Sequence, residues 1–549
     1  MSEWQVVKPR RAREEEKHQE EEEQPDEEEE ERKEEGEGQG EASSSNGSIP
    51  APQLTREIIA CQTAGALFKL ADKHGASFNY IHSAAALTRV AKLPLGVAAR
   101  SPVRGRAGQA GQASAAESKA KDGVRILIQL ARERLPRMQS QALANTLWAV
   151  SKLGGDDRAF VAALLQRAGG RLPSFKAQEL ANTAWALANM GHNDTAFMYA
   201  LLAAARPKLT NFNAQDFANM VWALATLAFH SAPFMHDLLA AAATKLPSFS
   251  AQNLANTSWA LATLGYNDNA FMSALMASAQ PKLPSFGAST LSNMAWALAT
   301  LGYKNAAFMS ALVASAQPKL SSFGAQALAN TVWALGTLGY KDKAFMVDLL
   351  VAAETKLPSF NAQDLANTVS ALAVLGYKDT TFMGALLAAA KPKLRSYTAQ
   401  NLAITAWAIA KLHHNDAAFM GALLMAAKPK LTSLDAHNLA NLAWALAALG
   451  HNDSAFIGSL LVAAKPKLKS YTPQDLAITA WALATLGCND AAFMGALLVA
   501  AEPKLPAFSV QALANMAWAL AKMEHSDAAF MDALVVAATP KLPALNTAA

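Results

Sequence analysis

The stretch LANTSWALATLGYNDNAFM, from Leu254 to Met272, decides the fold. It places Trp259 three residues after Asn256 and six residues before Gly265. The same sequence motif recurs with a constant step of 37 residues. One position of the repeat therefore carries ten tryptophans: Trp148, Trp185, Trp222, Trp259, Trp296, Trp333, Trp407, Trp444, Trp481 and Trp518. Ser370 occupies that position in an eleventh frame. A fixed period of this length is typical of repeat architectures.

Each frame predicts two helices. In the frame of Trp259, Ser250 suits the N-cap of a first helix over 251–264, and Gly265 suits its C-cap. A second helix is predicted after Asp268 and ends before Pro281. A hairpin of this size cannot bury its apolar face alone, so neighbouring hairpins must stack. The sequence therefore predicts an all-α fold, a right-handed α-solenoid of about eleven 37-residue helical-hairpin repeats.

The domain organisation follows from shifts in composition. Residues 1–50 predict a disordered acidic tail, because they carry many glutamates and few apolar residues. Residues 51–95 predict a degenerate helical pair, with helices over 54–75 and 79–93. Residues 96–122 are rich in Ala, Gly, Ser and Arg and predict a flexible basic linker. The solenoid is assigned to residues 123–545, and 124–136 supply the helix that precedes the first tryptophan frame.

The net charge of +4 conceals a split between the tail and the rest. Residues 1–50 hold 7 Lys/Arg and 18 Asp/Glu, a net of −11, and the remaining 41 basic and 26 acidic residues give 51–549 a net charge of +15. A basic body suggests an anionic partner, with nucleic acid first in line. No apolar run is long enough to predict a membrane span, and two distant cysteines predict no disulfide framework.

Polar side chains form a stripe on the first helix. An asparagine row, three residues before each tryptophan, comprises Asn145, Asn182, Asn219, Asn256, Asn293, Asn330, Asn367, Asn441 and Asn515, with Ile404 and Ile478 as exceptions. These amides either bond the backbone of a neighbouring repeat or contact a ligand. For the tryptophans we favour packing between repeats over base stacking.

A variable row stands six residues before each tryptophan, where alanine alternates with Glu179, Asp216, Asn253, Thr290, Asp364, Asn401, Asn438 and Asp475. Such side chains can distinguish base edges by their donors and acceptors. Either the side chains of this row read bases, or the row is a surface position at which the residue type drifts without functional constraint. Drift should also admit lysine and arginine, and neither occurs there.

A cation row keeps the same 37-residue step: Arg134, Arg171, Lys208, Lys245, Lys282, Lys319, Lys356, Lys393, Lys430, Lys467, Lys504 and Lys541. One hypothesis is a favourable charge beyond each helix C-terminus. The other is a row of RNA phosphate contacts, one per repeat. The two can hold together.

The frame SFxAQxLANTxWALATLGYxDxAFMxALLxAAxPKL resembles the octotricopeptide repeats and their 37-residue heptatricopeptide relatives over about residues 124–545. The resemblance implies an organellar protein, of chloroplast or mitochondrion, that binds single-stranded RNA and acts in RNA processing, stability or translation, with other RNA-processing proteins as further partners. The acidic start is not a typical presequence, so cytoplasm or nucleus stays open.

An alternative function is an armadillo-like scaffold for protein partners, which also carries asparagine and tryptophan on an inner helix. We expect no enzyme activity, because no metal-ligand cluster, phosphate-binding loop or nucleophile–base pair stands out. We likewise expect no cofactor, no metal, no small-molecule substrate and no membrane partner.

Overall fold

The computed structural model describes residues 50–94, 115–154 and 157–541. The predicted acidic tail, apart from its last residue, and residues 96–114 of the predicted linker lie outside these ranges. Within the described ranges every regular element is an α-helix or a short 3₁₀ helix, and no strand occurs. The helices alternate between two kinds, which we call A helices and B helices after their order in each hairpin.

The chain begins with α1 (Ala51–Ala60), α2 (Ala64–His74), α3 (Tyr80–Lys92) and α4 (Ala115–Arg134). The A helices of the tryptophan frames are α5 (Ser140–Lys152), α7 (Ala177–Met190), α9 (Ala214–Thr226), α11 (Ala251–Leu264), α13 (Ala288–Thr300), α15 (Ala325–Leu338), α17 (Ala362–Leu375), α19 (Ala399–Lys411), α21 (Ala436–Ala448), α23 (Pro473–Leu486) and α25 (Val510–Lys522). Their B helices are α6 (Arg158–Gly169), α8 (Thr195–Ala205), α10 (Ala232–Ala243), α12 (Asn269–Ala279), α14 (Ala306–Ala316), α16 (Lys343–Glu354), α18 (Thr380–Ala390), α20 (Ala417–Ala427), α22 (Ser454–Ala464), α24 (Ala491–Ala501) and α26 (Ala528–Ala538).

Local capping sets the bounds of the A helix, as α11 shows. The Ser250 hydroxyl accepts a hydrogen bond from the backbone N–H of Asn253 and caps the N-terminus. Gly265 ends the helix with φ +65°, a left-handed conformation that glycine adopts without steric cost. The predicted helix over 251–264 and both of its caps are confirmed.

The B helix begins on an acidic cap and ends at a proline turn. In α12 the Asp268 carboxylate accepts a hydrogen bond from the backbone N–H of Phe271. The helix then passes into a 3₁₀ turn over Gln280–Ser285, because Pro281 cannot continue the α-helical ladder. We call this segment between a B helix and the next A helix the linker turn. It ends in most repeats at a fully buried aromatic side chain such as Phe249 or Phe286.

The structure differs from the prediction near the N-terminus. The single helix predicted over 54–75 is broken at residues 61–63, where the Thr63 side chain caps the new helix α2. Helix α4 begins at Ala115, so residues 115–122 of the predicted flexible linker are helical. Arg134 at its end donates hydrogen bonds to the carbonyls of Phe78 and Gly75. These helices therefore form two degenerate hairpins, α1–α2 and α3–α4, and not one pair.

The contacts divide the chain into two units, residues 1–282 and 283–549. Within each unit, successive A helices pack against one another along their length, and B helices contact their neighbours less closely. The A helices meet through small side chains. A Cβ added at Gly336 of α15 would lie 2.7 Å from the Cα of Ala371 in α17, so the two backbones nearly touch. Each unit is a stack of helical hairpins, and the predicted α-solenoid is confirmed.

Candidate nucleic-acid interface

The A helix leaves one narrow face open to solvent. In α11 this face consists of Gln252, Asn256, Trp259 and Thr263, which are half-buried, while Leu254, Leu261 and most alanines are buried. Their spacing of four, three and four residues places them on one side of the helix. We call the corresponding positions of all repeats the A-face. The A-face is the surface on which the asparagine and tryptophan rows lie.

The tryptophans of neighbouring repeats pack against one another on the A-face. The ring centroids of Trp185 and Trp222 lie 6.0 Å apart with planes at 25°. Trp296 and Trp333 repeat the contact in the second unit at 6.4 Å. These contacts confirm packing between repeats. Most rings in the row remain half-buried, and Trp518, in the last A helix of the described chain, is 44% exposed. The row therefore also offers ring edges to solvent.

The asparagine row lies beside the tryptophans, where seven of its nine amides are half-buried and those of Asn330 and Asn441 are buried. Asn256 accepts a hydrogen bond from Gln252 of its own helix at 3.4 Å, and Asn515 accepts one from Gln511 at 2.9 Å. Throughout the described residues, no asparagine of the row is hydrogen-bonded to a neighbouring repeat. The hypothesis that these amides bond the backbone of a neighbouring repeat is therefore supported by no hydrogen bond in the described residues. The amide groups retain donors and acceptors for a ligand.

The variable row lies at the N-terminus of each A helix and is largely buried. The carboxylates of Glu179, Asp216 and Asp364 accept hydrogen bonds from the backbone N–H of the residue three positions earlier. Asp475 does the same with Thr472. These are capping boxes, which favour acidic and amide side chains and disfavour cations at the positive end of the helix dipole. Capping therefore accounts for the missing lysine and arginine without base reading.

The pKa values of two of these buried carboxylates shift in opposite directions. Burial raises the pKa of Asp216 to about 6, although the Asn213 N–H and the charge of Lys245 act against it. Burial also opposes the ionisation of Asp475, but hydrogen bonds from His437 and Thr472 outweigh it and its pKa is lowered. The His437 Nδ1 atom lies 2.9 Å from Asp475 in the next repeat. The prediction that the variable row contacts bases stays a prediction, and its buried side chains offer a ligand little surface.

The lysines of the cation row join one linker turn to the preceding one. Lys282 donates to the carbonyls of Pro247 at 2.8 Å and Phe249 at 2.5 Å, 35 and 33 residues earlier. The same pair of bonds recurs at Lys208, Lys245, Lys319, Lys356, Lys393, Lys430, Lys467, Lys504 and Lys541. Two of the three N–H donors on each ammonium are therefore used within the protein. Phosphate contact by this row stays a prediction, limited to the remaining donor.

A second set of cations, which the sequence analysis missed, lies on the A-face itself. Lys152 and Lys411 take the position of Thr263, four residues after a tryptophan. The Lys152 Nζ atom is 4.8 Å from the ring centroid of Trp185, and the Lys411 Nζ atom is 4.7 Å from that of Trp407. Lys522 takes the same position and is exposed. The four-residue spacing from tryptophan was the available signal, because it places both side chains on one helix face.

The described residues offer little for other chemistry. Among them no group of three or more His, Cys, Asp or Glu side chains could hold a metal ion. Cys61 and Cys488 are free, and burial raises the pKa of both thiols. Within the same ranges no helix is both long and apolar enough to cross a membrane.

The comparisons with known proteins point to a class, RNA-related helical-repeat proteins. The family model of RNA-editing substrate-binding complex 6 protein matches residues 124–306. The family model of the N-terminal domain of the Tbc2 translation factor matches residues 306–417 and 410–545. Together these matches support an RNA-associated role in general.

No curated protein matches the chain. The search of solved structures matches a homology model of the full-length AP-3 complex in an intermediate open conformation. The match covers 89% of this chain and 93% of the other chain, with 11% sequence identity and a TM-score of 0.32. A likeness at this TM-score carries no information on function.

Proposed function

We propose that this chain binds single-stranded RNA along the A-face and acts without catalysis in RNA processing, stability or translation. The observation that carries the proposal is the A-face itself, a periodic row of half-buried amides beside tryptophan edges and lysines. Amides can bond base edges, aromatic edges can contact bases, and lysines can contact phosphates. The two RNA-related family matches, which together cover residues 124–545, support the same class of ligand.

The A-face assigns a separate task to each row. The half-buried amides of the asparagine row read base edges, because they keep hydrogen-bonding groups at the surface. Lys152, Lys411 and Lys522 attract the backbone of the strand, and the remaining N–H of each cation-row lysine adds to the field. One nucleotide per repeat gives about four nucleotides on the A helices of the tryptophan frames in the first unit and about seven on those of the second.

The place of action is a further part of the proposal. Resemblance to the octotricopeptide repeats favours a chloroplast or mitochondrial transcript as the target. Partners of such a protein would be the RNA and other RNA-processing proteins. Expression of the full chain with a C-terminal fluorescent tag, followed by co-localisation with organelle markers, tests the location. A uniformly cytoplasmic signal would contradict it.

Fluorescence anisotropy with the full chain tests RNA binding directly. A library of single-stranded RNAs on the order of twenty nucleotides long is titrated at two salt concentrations, because phosphate contacts make affinity fall with salt. We expect binding at low salt that weakens at high salt. Absence of binding at low salt would contradict the proposal. Binding that survives RNase in a pull-down would favour the protein-scaffold alternative.

A matched pair of variants locates the interface. Asn182→Ala combined with Asn256→Ala and Asn367→Ala removes three A-face amides. Its control is Asn193→Ala combined with Asn267→Ala and Asn415→Ala, which removes three exposed loop amides away from the A-face. We expect the first variant to lose about tenfold or more in affinity, at about 0.5–1.5 kcal/mol per lost hydrogen bond, and the control to bind like the wild type.

A further inference from the structure

The B helices of the second unit carry an exposed apolar row. The row stands nine residues after each capping residue and comprises Val351, Met425, Val462, Val499 and Val536, with exposures of 61%, 80%, 76%, 74% and 73%. The first unit has Gln166, Ala203, Ala240 and Ala277 at this position, and α14 and α18 of the second unit have Ala314 and Ala388, so the repeat itself does not need a large apolar side chain there. Large side chains exposed in a periodic row mark a surface that contacts another protein.

A glycine row lies four residues earlier on the B helices α18, α20, α22 and α24, the last three of which also carry the apolar row. Gly384, Gly421, Gly458 and Gly495 stand five residues after the capping aspartate, where other repeats carry Tyr199, Ser273, Ser310 or Val347. A Cβ added at any of these four glycines would meet nothing within 4 Å. Glycine inside a helix costs about 0.5–1 kcal/mol relative to alanine. Packing within the chain does not require the glycines. Their lack of side chains instead suits the close approach of another molecule.

The two ends of these B helices carry opposite charges. Asp416, Asp453 and Asp490 cap the N-termini of α20, α22 and α24. Lys391, Lys428 and Lys465 follow the last residues of α18, α20 and α22 and are exposed. Twelve residues separate the acidic cap from the cation, about 18 Å along the helix axis at 1.5 Å per residue. Glu502, and not a cation, follows α24, so the surface is acidic at one edge and basic at the other over α18, α20 and α22, with Met425 and Val462 between the edges.

We propose that this face, formed by α18, α20, α22 and α24, binds the same face of a second copy of the chain. A rotation of 180° about a line that crosses the helices at their midpoints lays the lysines after α18, α20 and α22 over the partner's acidic edge, whereas α24, which Glu502 follows, adds no ion pair. The same rotation brings Met425, Val462 and Val499 over the partner's shallow surface beside the glycine row. Charge and shape are thus self-complementary under one two-fold axis, as an isologous dimer requires. The face lies on B helices, so it does not depend on RNA binding by the A-face.

Sedimentation equilibrium of the full chain tests the dimer. The protein is treated with nuclease first, so that RNA cannot bridge two copies. At about 50 µM, above the micromolar Kd of a modest interface, we expect twice the monomer mass of 58.0 kDa. A species of 58.0 kDa at this concentration would overturn the proposal and leave the face to a different partner.

Two variants assign the dimer to this face. Gly421→Ala with Gly458→Ala and Gly495→Ala adds three methyl groups that the chain itself accommodates. We expect the dimer Kd to rise about tenfold or more, with the thermal midpoint unchanged or raised because alanine favours the helix. Met425→Ser with Val462→Ser and Val499→Ser should weaken the dimer as well. Gly65→Ala, at an exposed helical glycine of α2 with no neighbour within 4 Å, is the control. An unchanged dimer in both triple variants would overturn the assignment.

Discussion

The cation row and the asparagine row repeat with the same 37-residue step, yet the structure uses them differently. Each lysine of the cation row, from Lys208 onward, donates to two carbonyls of the preceding linker turn, as Lys282 does to Pro247 and Phe249. The amides of the asparagine row form no bond to a neighbouring repeat in the described residues. Strict periodicity therefore does not separate structural from ligand-binding residues. The contrast predicts that linker-turn substitutions reduce stability and A-face substitutions reduce affinity.

The largest expected effect lies in the linker turn. Phe249→Ala removes a fully buried ring next to the carbonyl that Lys282 binds. We expect the free energy of unfolding to fall by about 3–5 kcal/mol. Urea unfolding of the full chain, followed by circular dichroism, measures the loss. Tyr199→Ala, at a ring that is 56% exposed on α8, serves as the comparison and should cost much less. Equal losses would contradict the structural assignment of the turn.

The next effect concerns the cation row. Lys282→Met keeps the side-chain length but leaves the carbonyls of Pro247 and Phe249 without their donor. We expect unfolding to become easier by about 1–3 kcal/mol, and RNA affinity to change little. Lys304→Met, at an exposed loop lysine, is the matched control and should be close to neutral. A variant that unfolds like the wild type and loses RNA affinity would return this row to the phosphate hypothesis.

Protonation of the two buried capping carboxylates, Asp216 and Asp475, should change the free energy of unfolding in opposite directions. The folded pKa of Asp216 is raised to about 6, so its contribution is most favourable below pH 4 and is lost as pH rises to 6. We expect Asp216→Asn, which preserves the oxygen that accepts from Asn213, to gain about 1–2 kcal/mol relative to wild type between pH 4 and pH 7.

The Asp475 pKa is lowered, so that carboxylate stabilises the fold at neutral pH and loses this effect in acid. Asp475→Asn should therefore lose stability at pH 7 and approach the wild type as pH falls. Thermal unfolding at several pH values distinguishes the two caps. Parallel pH profiles for Asp216→Asn and Asp475→Asn would contradict this difference.

The smallest expected effect is on base preference. Ile404 and Ile478 replace asparagine two repeats apart, with Asn441 between them. Isoleucine cannot bond a base edge, so the selected RNA motif should show two tolerant positions, at the repeats of Ile404 and Ile478. Ile404→Asn should sharpen the preference at one of them by about 0.5–1.5 kcal/mol.

Selection of bound sequences from a random RNA pool, with wild type and variant, measures this change. Asn256→Ile, at a half-buried amide, is the reciprocal test and should relax the position that its repeat reads. An unchanged motif in a variant that still binds RNA would contradict base reading by this row, and leave RNA binding itself intact.

Local signals in the sequence were sufficient for much of the fold. Ser250, Gly265 and Asp268 place the helix ends correctly because caps act within a few residues of the backbone they bond. Near the N-terminus, where the 37-residue words are degenerate, the same reasoning joined α1 to α2 and overlooked the start of α4. The break at residues 61–63 lies inside a periodic apolar pattern, which does not by itself reveal a helix end.

The candidate interface was predicted only in part. A helical projection of residues 251–264, with about 100° per residue, places Trp259 at the edge of the polar stripe, and the structure leaves it half-buried beside Asn256. The projection also placed Asn253 on that stripe, but most members of its row are buried caps. A projection describes one helix and omits the neighbours that cover it.

The sequence by itself determined the repeat, its two helices, their caps and the class of fold, because each depends on bonds between residues close in the chain. The tertiary structure decided which periodic rows are buried and which are open. The partner of Lys282 lies 33 to 35 residues away, and only the stacking of neighbouring linker turns brings the two together. The tasks of the asparagine and cation rows therefore differ for a reason that their spacing does not contain.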